Sequence, residues 1–181
     1  MAAGGRGEGE AFWRFSLVFY ALPGVAAALI ALQDRDGFDV NVILYALWLG
    51  LARGHAMKAA DLAAAEAAAA PLREAVVVEL RALRRRLRAH PDADVQALRG
   101  RVQAVEISAE RAVQERLAGC VPAPLPSGRD SRTTWEGEGW APSGDRLETA
   151  LGNLALCLGC AAESAEAGVI RAAITGFSRR V

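Results

Sequence analysis

Apolar residues recur at three- and four-residue intervals along most of the chain, which predicts helices rather than strands. Phe12, Phe15, Phe19 and Leu22 set the first helix, expected over Glu10 to Leu22. Val25, Leu29 and Leu32 set a second that reaches about Asp36, with Pro23 tolerated in its first turn. The third differs in kind: from Val40 to Leu49 only Asn41 is polar. A helix that is apolar all round is either a central core helix or a membrane span. The corner from Leu32 to Asn41 joins the second helix to the third. Gly37 suits a left-handed helix cap, and Asp39 suits an N-cap. Phe38 sits where an apolar residue packs back on Leu32 and forward on Ile43.

Beyond Gly54 the pattern changes. Asp61 to Ala70 is an alanine-rich helix that Pro71 should break, kink or restart. Val76, Leu80, Leu83 and Leu87 then form a stripe, and His90-Pro91-Asp92 marks a stop and a restart. Val95, Leu98, Val102, Val105, Ala109 and Ala112 form the answering stripe. The two predict an antiparallel helical hairpin with coiled-coil-like packing and arms of roughly 27 to 40 Å, at about 1.5 Å per residue. Gly119 to Gly144 holds Pro122, Pro124, Pro126 and Pro142, which forbid a long regular element. Helix returns with Asp145 and Glu148 as a capping box and Leu147, Leu151, Leu154 and Leu158 on one face. A final helix would use Val169, Ile170, Ala173, Ile174 and Phe177. The expected fold class is all-α: a bundle of about seven helices with an N-terminal three-helix core and a long antiparallel hairpin. The expected organisation is a disordered N-terminus over 1–9 and a helical core domain over 10–118. A Pro/Gly/Trp loop follows over 119–144, then a C-terminal helical pair packed on the core over 145–181.

Composition removes some function classes. The chain of 181 residues is 52% hydrophobic and 23% charged, ordinary for a globular protein. It has 21 basic and 21 acidic residues, so no net field draws it to nucleic acid or anionic lipid. Three cysteines make no disulfide framework, which favours a reducing cytoplasm. Phe15 to Leu32 runs without a charge and is a marginal span by length. Pro23-Gly24 in its middle suggests two helices instead, and a soluble core is the preferred expectation over a membrane hairpin through residues 15–52.

The string Phe12-Trp13-Arg14-Phe15-Ser16-Leu17, Tyr20-Ala21, Pro23-Gly24-Val25, Leu32-Gln33-Asp34, Gly37, Asp39-Val40-Asn41 and Leu47-Trp48 resembles the opening of a bacterial family of small helical proteins. That family is catalogued as a domain of unknown function, and the resemblance covers roughly residues 11 to 117. It implies a cytoplasmic all-α protein and brings no activity, cofactor or catalytic residue.

Four features carry candidate chemistry. Gln33, Asp34, Asp39 and Asn41 cluster at the corner. Asp39 has a capping duty, whereas Gln33, Asp34 and Asn41 have no assigned role and are candidates for a polar ligand site. Arg81, Arg84, Arg85, Arg86 and Arg88 form a basic face that would suit phosphate or an acidic partner. Glu106, Glu110 and Glu115 on the next helix make cross-hairpin ion pairs the preferred expectation. Trp135 and Trp140 lie in a polar loop, where they either dock on the bundle or meet a partner. Cys157 and Cys160 have a redox or metal spacing but fall late in a helix, where the dipole does not help a thiolate. Cys120, His55 and His90 are the remaining weak metal ligands, without a second close pair. No phosphate loop, dinucleotide pattern or zinc-protease pair occurs. The expectation is a non-enzymatic protein-interaction or adaptor module that needs no cofactor, with a protein partner and no defined oligomeric state. The alternatives are a small-molecule- or metal-binding enzyme at the corner or the cysteine pair, and a membrane-associated protein.

Overall fold

The third helix sits at the centre of the structure, a computed structural model that describes residues 3–122 and 142–177. α3 (Val40–Leu51) is buried at every residue from Asn41 to Leu51. With no solvent-facing side it organises everything around it. α1 (Ala3–Tyr20) lays Phe12, Phe15 and Phe19 against the core, and Phe12 stacks on Trp48 with ring centroids 5.2 Å apart. The disorder expected over 1–9 does not hold for residues 3–9, which are the first turns of α1. Glu8 is tied there to Arg53 at 3.0 Å. α2 (Val25–Asp36) buries Val25, Leu29 and Leu32 as the spacing predicts, and Pro23 lies in the turn before it rather than in its first turn.

α4 (Ala59–Leu72) starts with the Asp61 carboxylate accepting the Lys58 N–H at 2.8 Å. Pro71 neither breaks nor ends it. The proline has no N–H to give the preceding turn. The helix continues by widening into a π segment (Arg73–Val77), closed by the Val78 N–H on the Arg73 carbonyl. α5 (Val78–Arg86) follows directly. α4, the π segment and α5 form one continuous rod, so the described residues fold as seven helical rods without a strand. α6 (Ala93–Ala118) turns back along α5, its N-cap Asp92 accepting from the Asp94 N–H at 2.7 Å.

The hairpin is less closed than its stripes imply. Val102 and Ala109 are buried, yet Leu98 and Val105 are half exposed and no residue of α5 is buried. The arm near the turn has one helix for a neighbour, so one face of each stripe stays wet.

α7 (Gly144–Leu158) packs along α3, and α8 (Ala165–Gly176) packs on α2 with Ile170 and Ile174 buried. The Asp145–Glu148 capping box does not form: Ser143 is the N-cap, without a side-chain bond. α3 and α7 touch most closely at Gly50, where a Cβ would meet the Ala150 Cα at 2.5 Å. Buried Asn153 on α7 clamps the same seam. Its amide donates to the Ala46 and His55 carbonyls at 3.0 and 2.9 Å, and its oxygen accepts the Met57 N–H at 2.8 Å.

Among the described residues no single helix is long and apolar enough to cross a membrane. α1 and α2 together have the length, but they meet at 101°.

Candidate functional site

The corner after α2 is built as its residues imply. Gly37 takes a left-handed conformation (φ 76°), and its N–H reaches the Gln33 carbonyl at 3.2 Å. The Phe38 N–H reaches Leu32, and the Phe38 side chain packs on the core. Asp39 caps α3 through Oδ1, which accepts from the N–H groups of Asn41 at 2.7 Å and Val42 at 3.4 Å. The two helices therefore diverge at a fixed angle, and the far rod crosses the gap between them.

That crossing encloses an open cleft of about 580 Å³. Gln33, Asp34 and Asn41, the three corner residues to which the sequence assigns no structural duty, all line it. Arg73 from the π segment and Arg81 and Arg85 from α5 line the opposite side, and Glu110 of α6 closes the back. The apolar share of the wall is Phe38, Val77, Val78 and Ala82. Two features that are far apart in sequence, the corner and the basic face, thus meet in one place.

Ion pairs fix the walls. Arg73 donates through Nη1 to Asp39 Oδ2 and Glu66, each at 2.9 Å. Arg81 Nη2 donates to Glu110 at 2.6 Å, and its Nε to Glu106 at 3.4 Å. Arg84 also donates to Glu106 and lies outside the cleft. Arg85 Nη2 donates to Asp34 Oδ1 at 2.7 Å, which joins α5 to the end of α2. The cross-hairpin pairing expected for the basic face therefore holds for Arg81 and Arg84 with Glu106 and Glu110. Arg85 instead serves the corner, Glu115 pairs within its own helix with Arg111 at 3.7 Å, and Arg88 is exposed.

Behind the cleft Asn41 donates to Glu110 and accepts from Gln114 Nε2 at 2.9 Å. Burial pushes the Glu110 carboxyl above its ordinary range, opposed by the hydrogen bond from Asn41 and the charge of Arg81. At the mouth the Arg85 hydrogen bond holds the Asp34 carboxyl below the ordinary range.

The sequence reading missed Arg73 and Gln114. Arg73 lies just past Pro71, where a helix break was expected. Gln114 looks like a surface residue until the register of α6 against α3 is known. Trp135 and Trp140 lie outside the described residues.

The cysteine pair lies at the end of α7. Cys157 is in the last turn of α7 and Cys160 in the 3₁₀ turn after it. Burial pushes the Cys157 thiol up to about 12. Its thiolate is then about a thousandfold scarcer at neutral pH than that of an ordinary thiol. Ellman's reagent is expected to label exposed Cys160 first. Cys160→Ser should remove the fast phase and Cys157→Ser should leave it. A fast phase lost with Cys157→Ser would refute this assignment. Among the described residues no three His, Cys, Asp or Glu side chains gather as a metal site. His55 instead pairs with Asp61 at 3.3 Å.

A family model described as "Protein of unknown function (DUF2390)" matches residues 11–117. No curated protein and no solved structure matches the chain.

Proposed function

The chain belongs to that family of unknown function, whose model covers more than half of it and names no activity, and from this premise we propose a small-molecule-binding role centred on the corner cleft. One observation carries the reading. Gln33, Asp34 and Asn41 face Arg81 and Arg85 across a cavity of about 580 Å³, within the range of about 300–1,000 Å³ common for ligand sites. Side chains from α2, α3, α5, α6 and the π segment converge there, and the charged ones are held by partners outside the cavity or across it. Such convergence adds little in a structural role, because exposed ion pairs contribute roughly 0–1 kcal/mol each. A cytoplasmic setting fits the unpaired cysteines.

A panel of three probes on one benzene scaffold tests the proposal: phenyl phosphate, benzylamine and benzyl alcohol. Binding is read from amide chemical shifts of the native protein. At least one probe is expected to shift residues around Gly37 and Ala82, and Ala82→Trp, which fills the cleft, should remove the effect. If no probe binds, or if Ala82→Trp changes nothing, the cleft is not a ligand site.

The adaptor reading has narrower support. Its loop lies outside the described residues, and the hairpin offers it half-exposed Leu98 and Val105, seven residues apart on α6.

A further inference from the structure

Resting on the cleft as a binding site, we infer that its ligand is an organic anion, a carboxylate or phosphate monoester on an apolar body. The cleft looks charge-balanced, with Arg73, Arg81 and Arg85 facing Asp34, Asp39 and Glu110. The balance of unused hydrogen-bonding capacity is different.

The acids are nearly spent. Asp39 gives Oδ1 to two backbone N–H groups and Oδ2 to Arg73, and its side chain is 5% exposed. Glu110 gives one oxygen to Arg81 and the other to Asn41. Among the described residues only Asp34 Oδ2, of the cleft carboxylate oxygens, is left without a donor.

The donors are not spent. A guanidinium carries five N–H groups. Arg85 commits Nη2 alone, which leaves Nε and Nη1 without an acceptor among the described residues. Arg81 commits Nη2 and Nε and leaves Nη1. The two residues are four apart on α5, so they lie on one helix face. Arg85 is also the movable one: its side chain is 49% exposed, and its partner Asp34 is 41% exposed. Once Asp34 yields Nη2, an entering carboxylate or phosphate can take two parallel N–H bonds from the Arg85 fork, the geometry for which guanidinium is suited.

The apolar body follows from Val77, Val78 and Ala82 beside these arginines. Val78 is 45% exposed, an open apolar surface one turn from Arg81 and Ala82. An inorganic anion leaves that wall wet, whereas a ring or alkyl chain covers it. Asp34 then acts as an internal competitor, an occupant of Arg85 that the ligand displaces.

The probe panel separates this inference from the site itself. Phenyl phosphate should bind more tightly than benzylamine, benzyl alcohol or inorganic phosphate. Arg85→Gln should weaken it at least tenfold, the loss expected for a hydrogen bond to a charged group. Asp34→Asn should strengthen it by about two- to fivefold, because it removes an exposed competing ion pair. Both residues are at the surface, so both variants are expected to fold. Benzylamine or benzyl alcohol binding in the cleft without phenyl phosphate would overturn the anion inference and leave the site standing. Weaker phosphate-ester binding in Asp34→Asn would also overturn it, since Asp34 would then be a contact and not a competitor. Equal binding of inorganic and phenyl phosphate would refute the apolar body.

Discussion

Gly50→Val is expected to remove a large share of the protein's stability, while Gly50→Ala weakens it less. A Cβ at this position would lie 2.5 Å from the Ala150 Cα, 2.6 Å from its N and 2.8 Å from its Cβ. Comfortable separation is about 3.5–4.0 Å, so α3 and α7 must part by roughly 1 Å. α3 has nowhere to go, because it is enclosed on every face. A shift of α3 away from α7 presses it into its other neighbours, α1 and α6 among them, and a shift of α7 opens gaps along the seam. The combined overpacking and cavity cost is on the order of 3–5 kcal/mol, against a total stability of about 5–15 kcal/mol. Alanine recovers about 1 kcal/mol from helix propensity and brings no γ-carbons. Urea titration followed by circular dichroism decides the matter. An unchanged midpoint for Gly50→Val would mean that the α3–α7 seam is looser than 2.5 Å implies.

Glu106→Ala should detach α5 while the rest of the bundle stays folded. Glu106 is 6% exposed on α6 and accepts from both Arg81 and Arg84. No residue of α5 is fully buried and Leu80 alone of its residues packs on the core, so this acid adds hold where apolar packing is thin. Its loss leaves two largely buried guanidinium groups short of a partner, at about 2–4 kcal/mol after allowance for their remaining exposure. Glu106→Gln keeps the shape and an acceptor and should cost about half as much. The loss should register as faster amide hydrogen exchange over residues 78–89, with α3 amides unchanged. Equal loss of protection in α3 would show that the hairpin and core form one cooperative unit. Arg81 then keeps its Glu110 bond but loses the helix that positions it, so ligand binding in the cleft should weaken too.

Much of the architecture is legible in residue spacing. The Phe12, Phe15, Phe19 stripe, the Gly37–Asp39 corner and the enclosed α3 all follow from local rules, since caps and apolar periodicity act within a turn or two. The same locality explains the misses. Leu98 and Val105 carry the period of an inward stripe, but burial depends on a second neighbour that the hairpin lacks near its turn. Pro71 carries a break signal, yet flanking helix on both sides makes widening cheaper than stopping. For the site, Gln33, Asp34 and Asn41 stood out as polar residues without a duty. That they face Arg81 and Arg85 depends on how far α5 is rotated about its axis, and no local rule fixes that angle.

The π segment is a place where the rod can change length without turning the cleft wall away. Widening from Arg73 to Val77 fits one extra residue into the rod ahead of α5. Each residue of plain α-helix advances the rotation by about 100°, and the wider turn absorbs that advance. A chain lacking exposed Ala75 would run as plain α-helix with Arg81 and Arg85 still turned towards Asp34. The rod upstream of the cleft can thus lose a residue and keep its receptor wall.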